Sequence, residues 1–256
     1  MRITIVTGAS SGMGREYAKQ LDALKESDEI WVVARREERL NELKSQLKTA
    51  CRVFPLDLIK QEDIDVLTDA LAASGGEVKY LVNSAGFGKF GDWSEVSRDN
   101  VNGMIDLNVK ALVNITAAVL PYMKRGSHII EMCSVSAYLP LENFSVYAAS
   151  KAFVLSYSYA LRAEVKRKGV TVTAVCPGWV ETEFAVCAHN GDKVNGPKRL
   201  KPMTTAEKVV KKAIRDACRN KPVSVCGITW KAMHVMSKFM PRRVMMLLWH
   251  GMQKRN

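Results

Sequence analysis

The sequence lacks the marks of a metal-built, disulfide-built or membrane-spanning protein. Its six cysteines, at Cys51, Cys133, Cys176, Cys187, Cys218 and Cys226, include no C-x-x-C pair. Its four histidines, His128, His189, His234 and His250, are scattered. No metal-ligand set is expected from such spacing. Reduced thiols in a cytoplasmic protein are the expectation instead. No run of 18 or more apolar residues occurs, so no spanning helix is predicted. The chain enters an apolar, strand-like segment at 3–6 without a charged region and a long apolar stretch ahead of it, so no signal peptide is predicted. Acids are scarce in one quarter only. Positions 193–256 hold 16 of the 38 Lys and Arg but two of the 26 acids, Glu207 and Asp216. The net charge of +12 therefore belongs to the C-terminal quarter. Such a surface attracts anionic lipid, nucleic acid or an acidic substrate, or is simply solvated. It carries no nucleic-acid recognition module, so nucleic acid is not an expected partner.

What is present is an alternation. Apolar runs at 3–6, 30–34, 53–55, 80–83, 128–133 and 171–176, with a weaker one at 223–226, read as strands. Between them, segments such as 15–24, 37–47 and 64–73 have helical apolar spacing and good helix formers. Strands that are apolar throughout and separated by helices predict a parallel sheet buried on both faces. With 256 residues, 47% of them hydrophobic, one α/β domain over 1–256 is expected. A loop-like insertion at 188–201 falls on the substrate side, beyond the last strong strand. The segment 228–256 mixes Trp230, Met233, Phe239, Met240 and Trp249 with Lys231, Lys238, Arg242 and Arg243, and Pro241 divides it into two possible helices. Three readings stay open for it: a wall of an apolar substrate pocket, a membrane-surface helix, or a packing and oligomer surface.

The first strand runs into Thr7-Gly8-Ala9-Ser10-Ser11-Gly12-Met13-Gly14, and a helix follows. Glycine is needed where main chain turns sharply or approaches a ligand, and a helix N-terminus offers free N–H groups to a phosphate. A strand-to-helix glycine turn at this position points to a dinucleotide. The second strand ends in Ala34-Arg35-Arg36 with no acid. A carboxylate there would hold a ribose hydroxyl, whereas an arginine grips a 2′-phosphate. NADP(H) is therefore the expected cofactor, with Arg35 the first choice and Arg36 beside it. Further along, Tyr147 and Lys151 stand four apart, on one face if helical. A positive charge near a phenol lowers its pKa from about 10 and suits it to proton transfer.

Taken together these residues resemble the short-chain dehydrogenase/reductase family. The motifs run in order over residues 3–184: the glycine turn, Asp57, Asn83-Ser84-Ala85-Gly86, Asn108, Ser134, Tyr147 with Lys151, and Pro177-Gly178-Trp179-Val180-Glu181-Thr182. The resemblance implies a Rossmann-like doubly wound sheet with helices on both faces. It implies that Ser134 holds the substrate carbonyl, Tyr147 moves the proton, and Lys151 contacts the ribose. Asn108 would hold a water in a proton relay. Gly8, Ser10, Ser11, Gly12, Met13 and Gly14 would cradle the phosphates, Asp57 and Leu58 would meet the adenine, and Asn83, Ala85 and Gly86 would line the cofactor path. Pro177, Gly178, Val180 and Thr182 would lie along the nicotinamide end. Ser136 competes with Ser134, but the latter has the family's spacing of 13 residues to Tyr147. A homodimer or homotetramer is implied. The expected reaction interconverts a ketone and a secondary alcohol on an apolar substrate, steroid-like first and 3-oxoacyl second. The rival is a catalytically idle cofactor-sensing or membrane-surface protein, which would not require Ser134, Tyr147 and Lys151 together.

Overall fold

A computed structural model describes residues 1–188 and 203–253. Seven parallel strands form one sheet in the order β3-β2-β1-β4-β5-β6-β7. They are β1 (Arg2–Thr7), β2 (Glu29–Val33), β3 (Ala50–Phe54), β4 (Glu77–Asn83), β5 (Met123–Met132), β6 (Thr171–Val175) and β7 (Val223–Ser224). Every expected strand is present, and the weakest is the two-residue edge strand β7.

Helices cover both faces of the sheet. They are α1 (Gly12–Leu24), α2 (Glu37–Lys44), α3 (Gln61–Ser74), α4 (Arg98–Ile105), α5 (Leu112–Val119), α6 (Ser145–Glu164), α7 (Glu183–Ala188), α8 (Ala206–Cys218), α9 (Ile228–Met236) and α10 (Arg242–Gln253). Strand alternation sends Ile3 and Ile5 of β1 to one face, where they join Leu67 and Leu71 of α3 and Ile115 of α5. Val6 goes to the other face with Tyr17 of α1, Leu40 of α2 and Val210 of α8. Two buried faces explain why the strands read as continuous apolar runs. The helices' polar sides face outward. In α8, Val209, Val210, Ala213 and Ala217 are buried while Lys208, Lys211 and Arg215 are exposed. Part of the basic C-terminal quarter is therefore the solvated side of an amphipathic helix.

The sheet order reverses direction between β1 and β4, and an open α/β sheet has its ligand crevice at such a point. One helical run bounds this crevice, Arg98–Tyr122, and its length and mean hydropathy of 1.4 equal those of a membrane span. Yet Met104, Asn108, Ala111, Leu112, Ile115, Thr116 and Val119 within it are buried in the protein. Its apolar character serves the core. Between α4 and α5 the run widens into a π-helical turn, Asp106–Ala111. Such turns are rare and often sit at functional sites.

Close approach of α1 to β1 sets the mouth of the crevice. A methyl group on Gly14 would lie 2.2 Å from the Gly8 carbonyl oxygen. Alanine is the better helix former, so Gly14→Ala would stabilise an unconstrained helix. Here it is expected to destabilise by about 1–3 kcal/mol, because overpacking against main chain cannot relax through a rotamer. Gly75→Ala, at φ +59° in open space, measures left-handed strain alone, about 1–2 kcal/mol. An unchanged thermal midpoint for Gly14→Ala would contradict the close-approach reading.

Candidate active site

Two adjoining cavities open at the strand ends. The outer one, of about 360 Å³, is built on the turn from β1 into α1. The Thr7 hydroxyl accepts from the N–H groups of Ser84 and Ala85 at 3.0 and 3.1 Å, tying the ends of β1 and β4 together. Gly8 follows at φ +68°, where a side chain would meet Ala85 main chain at 2.8 Å. Ser11 caps α1 in extended conformation without using its hydroxyl, and no acid occupies the first turn. The α1 N–H groups and dipole therefore face the cavity and suit an anion.

Gly8, Ser10, Ser11, Gly12, Met13, Gly14, Arg35, Arg36, Asp57, Leu58, Ala85, Gly86 and Thr182 all line this outer cavity. The two arginines differ. Arg36 donates to the Ser10 hydroxyl at 3.1 and 3.3 Å and pairs with Glu183 at 2.9 Å. That pair, with help from Ser11, holds the Glu183 carboxyl below its usual range. Arg35 lines the cavity with no ion pair or hydrogen bond among the described residues. Glu183, exposed at the cavity rim, thereby joins two edges of the site. Asp57 is set by a neighbour as well: its N–H donates to Asp63 at 2.6 Å, at the start of α3.

The inner cavity, about 100 Å³, holds Ser134, Ser136, Tyr147 and Lys151 together with Pro177, Gly178, Trp179, Val180 and Thr182. Ser134 is extended and caps the short turn Val135–Tyr138, its hydroxyl accepting from the Ser136 N–H at 3.1 Å. Of the two competing serines, Ser134 is the one whose side chain favours the charged form of the Tyr147 phenol. Phe144 stacks on Tyr147 at 4.4 Å between ring centroids, and Phe184 lies 5.4 Å away. Lys151, also buried, donates to the Met132 carbonyl at 2.7 Å and sits 5.7 Å from the centre of the Tyr147 ring.

The electrostatics differ from the sequence expectation. Burial pushes the Tyr147 phenol well above its ordinary value, and the Ser134 side chain only partly offsets that. Burial likewise pushes the Lys151 ammonium down. In a dry pocket both charged forms lose hydration, and a lysine anchored on a carbonyl does not reverse this for the phenol.

Two expected residues do not line either cavity. Asn108 is fully buried in the π-helical turn, donating to Phe87 O at 2.8 Å and Ser150 Oγ at 3.1 Å and accepting from Phe87 N at 3.0 Å. It nevertheless abuts the site: a side chain on Gly86 would lie 2.8 Å from Asn108 Oδ1 and 3.5 Å from Lys151 Nζ. Asn83 turns away from the cofactor path into the interior, where it donates to Thr116 and Glu131. Ser84, its neighbour, lines both cavities instead.

The C-terminal segment forms the two expected helices, α9 and α10, on either side of Pro241, and reaches the site through two tryptophans. Trp230 of α9 covers Gly178, where any side chain would overlap the indole. Trp249 of α10 packs with Phe144, Tyr147 and Leu141 and donates to the Glu142 carbonyl at 3.1 Å. Neither contact has a local sequence signal. Of the substrate-side loop 188–201, Ala188 ends α7 and accepts from the Phe90 N–H at 3.1 Å; the rest, and 254–256, lie outside the described residues.

Known proteins are similar to this chain in sequence and in fold. The family profile described as short chain dehydrogenase matches residues 2–191. An uncharacterized oxidoreductase of Staphylococcus epidermidis is 34% identical over 211 residues, 82% of this chain and 89% of that protein. Sulfoacetaldehyde reductase 2 of Chromohalobacter salexigens is 38% identical over 200 residues, 75% of this chain and 77% of that protein. A solved short-chain dehydrogenase from Sphingobium yanoikuyae, in complex with NADPH, is similar with a TM-score of 0.78 at 25% identity, covering 93% of this chain and 94% of that one. On these matches, the chain belongs to the short chain dehydrogenase family and is an oxidoreductase.

Proposed function

We propose that this protein is an NADP(H)-dependent oxidoreductase that interconverts a ketone and a secondary alcohol, with Tyr147 as general acid and base. One observation carries the reading: Met13, Ser84, Gly86, Thr182 and Phe184 line both cavities, so the phosphate-binding turn and the Ser134–Tyr147–Lys151 cluster share one continuous cleft. The cleft suits a dinucleotide, because side chains at positions 8 and 86 would fill it or collide with its walls, at 2.8 Å from Ala85 and from Asn108. When bound, the cofactor would supply the hydride as NADPH in reduction and accept it as NADP⁺ in oxidation. The protein's own residues do the rest. Ser134 and Tyr147 converge on one oxygen of the substrate. Tyr147 gives that oxygen a proton in reduction and takes one in oxidation. Lys151 favours the tyrosinate by its charge, and the aromatic wall of Phe144, Trp179 and Phe184 excludes water.

Arg35 is the proposed clamp for the 2′-phosphate, since Arg36 is already engaged with Ser10 and Glu183. The substrate is proposed to be apolar around its carbonyl. Among the described residues lining the inner cavity, Lys151 is the one cation, and its ammonium is bonded to Met132. A space of about 100 Å³ takes the reacting end of a molecule; a steroid-sized remainder would lie beyond it. Sulfoacetaldehyde, the substrate in the name of one relative, belongs in the same screen as ketones and acyl substrates. The outward Ile228, Phe239 and Leu247 of the C-terminal segment are proposed to meet a second subunit or a membrane surface.

Tyr147→Phe is expected to lower kcat about 10²–10⁴-fold, the usual weight of a positioned acid–base group, while leaving NADPH binding nearly unchanged. Undiminished turnover would remove Tyr147 from the chemistry. Arg35→Asp is expected to weaken the preference for NADPH over NADH about 10–100-fold, the worth of one or two charge-assisted hydrogen bonds. A variant that retained its preference would move the phosphate to other residues.

A further inference from the structure

Beneath Lys151 the sheet carries a carboxyl that the proposed chemistry does not use. Glu131 lies on β5, in register with Asn83 of β4, and is fully buried. Its Oε1 accepts from Asn83 Nδ2 at 3.2 Å, and the Thr116 hydroxyl lies 3.1 Å from the same oxygen. That hydroxyl has one proton, and the Leu112 carbonyl is nearer to it, at 2.7 Å. The other carboxyl oxygen, Oε2, has no partner among the described residues, and neither does Asn83 Oδ1.

An ionised carboxylate in the core needs donors on both oxygens. Here two acceptors face a shortage of one hydrogen, on two planar groups already joined by one arm. A neutral acid removes the shortage: Oε2–H donates to Asn83 Oδ1 while Asn83 Nδ2 donates to Oε1, closing a ring of two hydrogen bonds. Lys151 does not supply the missing bond, since its ammonium goes to the Met132 carbonyl. We propose that Glu131 is a positioning residue, held in the folded protein as the neutral acid paired with Asn83, so that no counter-ion beneath Lys151 offsets its field at Tyr147. The part of this that concerns Lys151 rests on its proposed role beside Tyr147.

Burial pushes the Glu131 carboxyl from its ordinary 4.5 up to about 7, against the opposing pull of Asn83, Thr116 and Lys151. The titratable groups facing it are Lys151 and Tyr157 of α6 and Cys133 just after β5; Asn83 and Thr116 do not titrate. Once Glu131 ionises, its charge offsets the field of Lys151 at Tyr147 and makes the phenol a poorer proton carrier. A folded pKa above the unfolded one means that the acid's contribution to stability is whole below about 4.5 and is lost as pH rises through about 7.

Glu131→Gln tests the pairing, because a glutamine amide can donate to Asn83 Oδ1 and accept from Asn83 Nδ2 as the neutral acid does. The variant is expected to match wild-type stability at pH 5 and to exceed it at pH 8. Infrared difference spectra of wild type minus Glu131→Gln, on resting protein, should show the carbonyl stretch of a protonated carboxyl at pH 5.5 that disappears by pH 8.5. Glu131→Ala, which leaves Asn83 unpaired beside a cavity, should be less stable at both pH values. Absence of the carboxyl band at pH 5.5, or a loss of stability in Glu131→Gln at pH 5, would overturn the neutral acid. These readouts need no turnover, so they stand apart from the proposed reaction. In the pH–rate profile, the variant should lose an ionisation near pH 7 and gain up to about tenfold over wild type on its alkaline side, the equivalent of one pKa unit at Tyr147. A wild-type profile in Glu131→Gln would overturn the link to Lys151.

Discussion

The ends of β1 and β4 approach so closely that a side chain at position 8 would strike Ala85 main chain at 2.8 Å, and the cleft depends on that approach. The Thr7 hydroxyl holds it from the β1 side by accepting two β4-end N–H groups. The start of α1 is then fixed a single turn away, pressed on β1 through Gly14. Because both strands are central in the sheet, their positions are set by pairing on either side and by burial on both faces. The site thus inherits its rigidity from backbone hydrogen bonds rather than from long side chains.

The same rigidity explains how buried polar groups survive around Tyr147. Asn108 satisfies both faces of its amide on Phe87 and Ser150, and Ser150 in turn donates to the Tyr147 carbonyl at 2.7 Å. These bonds link the π-helical turn to the helix that carries Tyr147 and Lys151. A fully connected polar network of this kind specifies one arrangement, because each lost bond leaves a buried group unpaired. The widened turn at Asp106–Ala111 is what brings Asn108 into that network.

Much of this was legible in the sequence, for a physical reason. Strands buried on both faces leave continuous apolar runs, so all seven were found, and the order strand–glycine turn–helix located Gly8, Gly14, Ser10 and Arg35 at the cleft. Tyr147 and Lys151 were legible because helical spacing is covalent information. What escaped depends on contacts distant in sequence. β5 starts at Met123, five residues before its apolar run, because Ser127 donates to Val78 O and Met123 pairs with Val78. The inward turn of Asn83, the Arg36–Glu183 pair and the tryptophans over Gly178 and Phe144 likewise join segments that no local pattern relates. Glu131 did leave a signal: it is an acid in the middle of the apolar run 128–133, where a strand buried on both faces has no outlet to water.

That acid and Lys151 show how the core divides its electrostatic load. A lysine ammonium has three donors, and among the described residues the Met132 carbonyl takes one. Burying it is costly, and an adjacent carboxylate would lessen the cost while cancelling the charge that Tyr147 needs. Paired hydrogen bonds between Glu131 and Asn83 avoid the cancellation, since a neutral acid and an amide are both satisfied without net charge. The cost of the uncompensated lysine then falls on the two apolar layers around the sheet, where Ile3, Ile5, Leu67 and Leu71 on one face and Val6, Tyr17, Leu40 and Val210 on the other are fully or almost fully buried. At about 1.5–3 kcal/mol for each large side chain removed from water, those layers can carry a few kcal/mol of unfavourable charge burial at one point. The sheet that holds the cleft rigid is therefore also the source of the stability that offsets the burial of Lys151.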